Sequence, residues 1–254
     1  MPRWLFAVAA VAALVYVALC MALFAMQRSL IYFPQAASAV PGTSSLVLSR
    51  ADADVRVTTR ASSGSNAVIY FGGNAEDVSL SFPSLQAAFP DDALYLLHYR
   101  GYGGSTGSPS EDAIVADAIA LFDVVHAEHP SVVVVGRSLG SGVAVHLASQ
   151  RPVRRLVLVT PYDSLQEIAA TQFSYFPVRW LLRDKFESWR YVAGIVAPTT
   201  IIAAENDEVI PRESTESLYR RFPAGTATLT VVRATGHNTI SDSADYASRL
   251  KGTS

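Results

Sequence analysis

The strongest chemical signal in the sequence is a serine flanked by glycines, in Gly136-Arg137-Ser138-Leu139-Gly140. This segment directly follows the apolar run Val132 to Val135 and precedes a helix-like stretch, so Ser138 is predicted on a sharp turn between a buried strand and a helix. Glycine two residues to either side lets strand and helix approach without a Cβ collision. The placement favours a nucleophilic serine over a glycine-rich turn with a bystander serine.

A serine hydroxyl becomes a nucleophile when a base takes its proton, and the usual base is a histidine. Of the five histidines, His237 follows the last apolar run, on a loop at the edge where loops gather over the serine. His237 is therefore the predicted base. The other four are predicted to be packing or surface residues: His98, His126, His129 and His146.

The histidine needs a carboxylate that holds it in the correct tautomer. Asp207 follows the apolar run 199–203 and is the predicted acid, with Asp163 as the alternative. Glu205 and Glu208 are expected to be solvated loop charges. The chain order serine, aspartate, histidine differs from the orders in the two best-known serine protease folds.

Acyl transfer also needs amide donors for the negative oxygen that develops in the transition state. The amide of Leu139, next to the predicted nucleophile, is the first predicted donor. The second is predicted on the glycine-rich segment after the run 67–71, where the amide of Asn74 is chosen and Gly73 is the alternative.

These residues must be positioned by strands and helices, and the apolar pattern predicts both. Two alternating runs, 45–50 and 55–60, indicate an antiparallel hairpin. Continuous apolar runs then alternate with helix-like stretches, the clearest at 109–126, which Ser108, Pro109 and Glu111 are expected to cap. The pattern predicts an α/β protein with a mostly parallel, doubly wound sheet of about eight strands. The continuous runs are 67–71, 93–98, 131–135, 156–160, 199–203 and 227–232.

The interval from Pro161 to Pro198 separates two predicted strands by more than a usual connection. It is rich in large apolar residues, including Phe173, Tyr175 and Trp180. This composition fits a lid inserted over the site at 162–197, and it fits ordinary core helices equally well.

The uncharged stretch from Trp4 to Met26 is long enough to cross the hydrocarbon core of a bilayer, roughly 30 Å. It is too long for the core of a cleaved signal peptide and lacks a small-x-small ending. We therefore predict a single-pass membrane anchor at 1–28, a connector from Gln27 to Ala39, and a globular domain at 29–254. Arg3 and Arg28 flank the stretch, so the charge rule assigns no side of the membrane to the domain.

Composition excludes several classes of function. The net charge of −2 and the lack of a basic run argue against a nucleic-acid partner. The single cysteine, Cys20, lies in the apolar stretch, so no thiol catalyst is expected. His126 and His129 lack a third metal ligand, and the glycine-rich segment 101–107 lacks a phosphate-binding pattern. We expect no metal and no cofactor.

Together the segments resemble the membrane-associated α/β-hydrolase-domain serine hydrolases, which include depalmitoylase-like, lysophospholipase-like and serine-aminopeptidase-like proteins. The resemblance covers about residues 27–250. It implies an α/β-hydrolase fold, with Ser138 as nucleophile, Asp207 as acid, His237 as base, and the amides of Asn74 and Leu139 as the oxyanion hole. The matching segments are 30–34, 71–75, 99–105, 136–140, 161–165, 207–211 and 236–238.

Two segments depart from that family's pattern. The family usually has His-Gly where this chain has Gly72-Gly73 and Ala203-Ala204.

The predicted triad and the resemblance predict hydrolysis of a carboxylic ester or thioester through an acyl-serine intermediate. The anchor suggests a lipid or lipidated substrate. The alternatives are a catalytically silent binding or scaffolding protein, and a serine peptidase or amidase.

Overall fold

The computed structural model describes residues 2–252. Met1, Thr253 and Ser254, at the ends of the predicted anchor and domain, lie outside the described residues. The strands are β1 (Ser44–Ser49), β2 (Asp54–Arg60), β3 (Asn66–Phe71), β4 (Ala93–Leu97), β5 (Ser131–Arg137), β6 (Arg155–Val159), β7 (Thr199–Ala204) and β8 (Ala227–Val232). The helices are α1 (Arg3–Ile31), α2 (Phe82–Ala88), α3 (Glu111–Glu128), α4 (Leu139–Ala148), α5 (Leu165–Gln172), α6 (Val178–Leu181), α7 (Arg212–Arg221) and α8 (Tyr246–Lys251).

The eight strands form one sheet in the order β1-β2-β4-β3-β5-β6-β7-β8. The predicted hairpin is present as β1 and β2, which pair antiparallel, and β2 is also antiparallel to β4. Strands β3 to β8 are mutually parallel. The predicted mostly parallel sheet of about eight strands is confirmed.

The sheet is covered on both faces, which explains the continuous apolar runs. One face packs against α3 and α4 through residues such as Ile114 and Val143. The opposite face packs against α2 and α8 through Leu85 and Leu250. Both layers are close to fully buried, so the strands form a rigid base for the loops at their carboxyl ends.

The chain crosses from β4 on one side of β3 to β5 on the other, so the strand order reverses between β3 and β5. In open α/β sheets, ligands bind at such a switch point, outside the carboxyl ends of the strands. The loops that follow β3 and β5 are those that carry Asn74 and Ser138. The topology therefore brings the predicted oxyanion loop beside the predicted nucleophile.

Helix α3 begins two residues later than predicted. The hydroxyl of Ser110 accepts a hydrogen bond from the amide of Ala113 at 3.2 Å, so Ser110 caps the helix and Pro109 lies outside it. Glu111 and Asp112 then occupy the first turn, where acidic residues interact favourably with the helix dipole.

Within residues 2–252, α1 is the one helix whose length and apolar composition would let it cross a membrane, with a mean hydropathy of 2.6 over its most apolar window. Helix α1 continues to Ile31, three residues beyond the predicted anchor end at residue 28 and into the predicted connector. Gln27 and Arg28 find polar partners on the globular domain, so these residues do not have to leave the helix to reach water. Tyr32, which follows the helix, is buried.

Candidate active site

Ser138 stands on the turn between β5 and α4 with φ 49° and ψ −118°. A residue with a Cβ rarely adopts this left-handed conformation. The flanking glycines leave no room for a side chain: a Cβ on Gly136 would lie 2.4 Å from the carbonyl oxygen of Gly140, and one on Gly140 would lie 2.1 Å from that of Phe71. The steric demand predicted from the glycine spacing is confirmed.

Three side chains that are far apart in the sequence meet at the carboxyl edge of the sheet. Nε2 of His237 lies 2.9 Å from Oγ of Ser138. Nδ1 of the same ring lies 3.0 Å from both carboxylate oxygens of Asp207. Because a carboxylate only accepts hydrogen bonds, Nδ1 carries the ring proton and Nε2 is free to accept the serine proton.

The Asp207 carboxylate is held by backbone amides as well as by the imidazole. Its Oδ1 accepts hydrogen bonds from the amides of Val209 at 3.0 Å and Ile210 at 2.7 Å. His237 is 5% exposed and Ser138 9% exposed, so the pair is shielded from bulk water. A shielded, oriented imidazole beside a serine hydroxyl is an arrangement that can remove the serine proton.

The sequence suggested that Glu205 and Glu208 are solvated loop charges, but each also accepts a backbone hydrogen bond. Glu208 accepts a hydrogen bond from the backbone amide of His237 at 3.0 Å, and that bond is the main cause that lowers the pKa of Glu208. Glu205 accepts one from the amide of Ala234 at 2.8 Å. Both carboxylates therefore fix the loop that carries His237.

Asn74, on the predicted oxyanion loop, and Leu139, at the start of α4, line the same cavity as Ser138. The backbone of Asn74 is held by its carbonyl oxygen, which accepts from the amide of Phe33 at 3.0 Å and from the hydroxyl of Tyr102 at 2.6 Å. The alternative donor, the amide of Gly73, is engaged with Glu76 at 2.7 Å. The contacts therefore favour Asn74 over Gly73.

Arg137 is a part of the site that sequence reasoning missed. One guanidinium nitrogen lies 3.3 Å from Glu76, which accepts from the amide of Gly73 on the predicted oxyanion loop, and another donates to the carbonyl oxygen of His237 at 3.3 Å. Arg137 thus links the two loops on either side of Ser138. The only sequence signal was a charge at the end of a strand that is otherwise buried.

Glu76 is in turn fixed by neutral donors. The hydroxyls of Tyr70 and Ser81 each donate to Glu76 at 2.6 Å. Burial and the neighbouring Glu76 raise the pKa of Tyr70 well above its ordinary value, so its hydroxyl keeps the proton that it donates.

The carboxylate of the alternative acid, Asp163, accepts a hydrogen bond from Ser217 at 2.9 Å, whereas Nδ1 of His237 is bonded to Asp207. The other histidines serve packing: His98 bonds Thr58 at 2.8 Å, and His146 stacks on Tyr191 with ring centroids 4.1 Å apart. Among residues 2–252, no group of three or more His, Cys, Asp or Glu side chains is arranged to hold a metal ion.

A cavity of about 240 Å³ lies over Ser138. Its wall is mostly apolar and comes from three parts of the chain: the last turns of α1, the segment between β6 and β7, and the loops of the site. The residues from α1 are Leu23, Phe24, Gln27, Leu30 and Ile31, and those from 162–182 are Tyr162, Leu165, Ile168, Ala169, Gln172, Phe173, Phe176, Val178, Leu181 and Leu182. A cavity of this composition suits an apolar group next to the serine.

Comparison with known proteins points to the α/β-hydrolase fold. A family model described as "alpha/beta hydrolase fold" matches residues 66–188. An uncharacterized protein of Mycobacterium tuberculosis (strain ATCC 25618 / H37Rv) is 37% identical over 250 residues, which cover 91% of this chain and 87% of that protein. A lysophosphatidylserine lipase of Xenopus tropicalis is 35% identical over 142 residues, which cover 48% of this chain and 36% of the lipase.

Among solved structures, an esterase of Pyrococcus furiosus superposes with a TM-score of 0.71 at 17% sequence identity, covering 87% of this chain and 97% of the esterase. At that identity the likeness shows the fold alone. The predicted α/β-hydrolase fold is confirmed.

Proposed function

This chain belongs to the α/β-hydrolase-domain family, and we propose that it is a serine hydrolase that cleaves a carboxylic ester or thioester through an acyl-serine intermediate. The observation that carries the proposal is the series Asp207, His237, Ser138, with 3.0 Å and 2.9 Å between successive side chains. The apolar cavity over Ser138 supports an acyl group as the part of the substrate bound there.

In the first half of the reaction, Oγ of Ser138 attacks the ester carbonyl carbon while Nε2 of His237 takes the hydroxyl proton. The negative oxygen of the tetrahedral intermediate accepts hydrogen bonds from the amides of Leu139 and Asn74. The intermediate collapses, the bond to the leaving alcohol or thiol breaks, and the leaving group takes the proton from His237. Ser138 is left as its acyl ester.

In the second half, His237 takes a proton from a water molecule, and the resulting nucleophile attacks the acyl-serine carbonyl. The carboxylic acid leaves and Ser138 recovers its proton from His237. Throughout, Asp207 keeps the imidazole in the productive tautomer and stabilises its charged form.

We further propose that α1 is a retained, single-pass membrane anchor and that 162–197 is a lid. Helix α1 supports this because Leu23 and Phe24 form part of the cavity wall, so removal of the helix would open the site. The lid assignment is supported by the position of α5 and α6 on the other side of the same cavity. A membrane lipid or a lipidated molecule is then the substrate class that the anchor and the cavity favour.

Turnover of p-nitrophenyl butyrate by the purified full chain tests the proposed function. We expect hydrolysis by the wild type and a fall in kcat by about 10⁴-fold or more in Ser138→Ala, since the triad works as a unit. Ser149→Ala, at the end of α4, is the matched control and should keep wild-type turnover. A folded wild type without turnover would favour a silent binding protein. Equal turnover in Ser138→Ala would remove the acyl-serine mechanism.

A further inference from the structure

Helix α1 contributes directly to the cavity that contains Ser138. Leu23 and Phe24 line it from one side, and Phe173 and Phe176 of the lid line it from the other. An apolar chain bound over Ser138 would therefore lie between the proposed membrane helix and the lid.

Polar contacts fix the end of α1 against the lid. The side-chain amide of Gln27 donates to the carbonyl oxygen of Leu181 at 3.2 Å and accepts from the amide of Arg183 at 2.7 Å. Arg28 donates twice to Asp184, at 2.9 Å and 3.2 Å. Helix and lid are thus joined where the lid returns to the domain.

The lid also reaches back along α1 to the middle of its apolar stretch. The rings of Tyr16 and Phe176 are stacked with centroids 5.9 Å apart, and the Tyr16 hydroxyl donates to the carbonyl oxygen of Tyr175 at 2.9 Å. Tyr16 precedes Ile31 by about 15 residues, which is roughly 22 Å along a helix. If the uncharged stretch of α1 lies in a bilayer, this part of the lid lies at the same depth.

The surface of this part of the lid has the composition of a membrane-contacting element. We name residues 172–182 the lid tip. The side chains of Tyr175 and Trp180 are 88% and 90% exposed, and Phe173 is 43% exposed. The one charged residue of the lid tip, Arg179, is paired with Glu167 at 2.6 Å. Exposed large apolar side chains grouped in this way mark a surface that contacts a membrane or another protein.

We propose that the lid tip inserts into one leaflet of a phospholipid bilayer beside α1, so that the cavity over Ser138 opens sideways to the acyl chains of that leaflet. The substrate then reaches Ser138 along the gap between α1 and the lid, without passing through water. The catalytic part of this inference rests on the proposed function, whereas insertion of the lid tip does not.

Insertion can be measured by the fluorescence of single-tryptophan chains in phosphatidylcholine vesicles. With Trp4→Phe and Trp189→Phe, Trp180 is the remaining tryptophan, and we expect blue-shifted emission that is quenched by brominated phosphatidylcholine. The matched control keeps Trp189, whose ring centroid lies 5.1 Å and 5.4 Å from the guanidinium carbons of Arg190 and Arg221, and this residue should not be quenched by that lipid. Quenching of Trp180 by aqueous iodide but not by brominated lipid would overturn the proposal.

The route to Ser138 is tested by Leu23→Trp, which narrows the gap from the α1 side. The measured quantity is kcat/KM for p-nitrophenyl palmitate in vesicles divided by kcat/KM for p-nitrophenyl acetate. We expect this ratio to fall about tenfold, because changed pocket contacts alter kcat/KM by about that factor in other enzymes. Leu14→Trp changes an exposed residue of α1 that does not line the cavity, and should leave the ratio unchanged.

An unchanged ratio in Leu23→Trp would overturn the lateral route. It would leave the proposed function intact as long as acetate turnover still depends on Ser138. If Ser138→Ala keeps full acetate turnover, the proposed function fails instead, and the fluorescence result still decides whether the lid tip inserts.

Discussion

Ser138 holds a backbone conformation, φ 49°, that costs of the order of 1–3 kcal/mol in a residue with a side chain. Its neighbours enforce that conformation: the amide of Ser138 donates to the carbonyl oxygen of Val159 at 2.9 Å, and its carbonyl oxygen accepts from Ser141. The strained turn keeps the Ser138 hydroxyl 2.9 Å from His237. That distance is within the hydrogen-bond reach that proton transfer from the serine to the imidazole requires.

Arg137 should act as a positioning residue, and Arg137→Lys tests this. Lysine keeps the positive charge, but its single ammonium cannot reach both Glu76 and the carbonyl oxygen of His237 in the forked geometry of arginine. We expect kcat to fall by about tenfold or more, with KM nearly unchanged, because a small misplacement of catalytic groups is costly.

Steady-state kinetics with a short p-nitrophenyl ester provide the measurement for Arg137→Lys, and thermal denaturation is run beside them. A role confined to stability would lower Tm without changing the kcat of the folded fraction. That result would contradict the positioning role.

At the scale of elements, the site depends on how closely α4 approaches β3. A Cβ on Gly140 would lie 2.1 Å from the backbone carbonyl oxygen of Phe71, and backbone cannot move aside as a side chain can. We predict that Gly140→Ala costs more than about 4 kcal/mol of the free energy of unfolding, or prevents folding. The matched control is Gly194→Ala, where nothing lies within 4 Å of the added Cβ. Its effect should be within about 0.5 kcal/mol.

Chemical denaturation monitored by circular dichroism measures both glycine variants. A Gly140→Ala protein as stable as Gly194→Ala would contradict the close packing of α4 on β3.

The proposed lid is attached to the start of α3 through one carboxylate. Glu111 accepts hydrogen bonds from the amides of Lys185 at 2.7 Å and Phe186 at 2.9 Å, and burial raises its pKa above the ordinary value of 4.5. The folded protein therefore holds the proton of the Glu111 carboxyl more tightly than the unfolded chain does. The resulting contribution to the free energy of unfolding is present below about pH 4.5 and is lost as pH rises through the raised pKa.

Glu111→Gln removes this titration and keeps one acceptor for the two amides. We expect the Tm of Glu111→Gln minus that of the wild type to increase from pH 4 to pH 8. Scanning calorimetry at several pH values measures the difference. A difference that is constant with pH, or that decreases as pH rises, would contradict the assignment.

For the molecule as a whole, the sequence was informative where a pattern is local. Each of the eight strands coincides with a predicted alternating or apolar run, and Asp207 and His237 were predicted as site residues because each follows such a run. The contacts of Arg137 and Glu208 were not predicted because their partners are distant in the sequence. Glu76 and His237 lie 61 and 100 residues from Arg137, and His237 lies 29 residues from Glu208. The continuation of α1 beyond residue 28 could not be predicted for the same reason, since the partner of Arg28 is Asp184.

The joint between α1 and the globular domain is centred on Asp184, which is 3% exposed. Its carboxylate accepts from Arg28 and from the hydroxyl of Tyr32 at 3.1 Å. We predict that Asp184→Asn lowers the free energy of unfolding by about 1–3 kcal/mol, since buried donors lose a charged acceptor. Asp123→Asn removes the more exposed pair with Arg151 and should cost less than about 1 kcal/mol.

Thermal denaturation of the detergent-solubilised full chain compares the two aspartate variants. Equal Tm values would show that the contact between α1 and the proposed lid does not contribute to stability. Together with the cavity wall, that contact is what makes α1 part of the folded enzyme that we propose.

The most direct test of the acyl-serine mechanism is covalent labelling by a fluorophosphonate, followed by mass spectrometry of the digested protein. We predict one adduct per folded chain on the peptide that contains Ser138, with labelling abolished in Ser138→Ala and slowed in His237→Ala. Labelling of Ser138→Ala at the wild-type rate, or no labelling of the folded wild type, would contradict the mechanism.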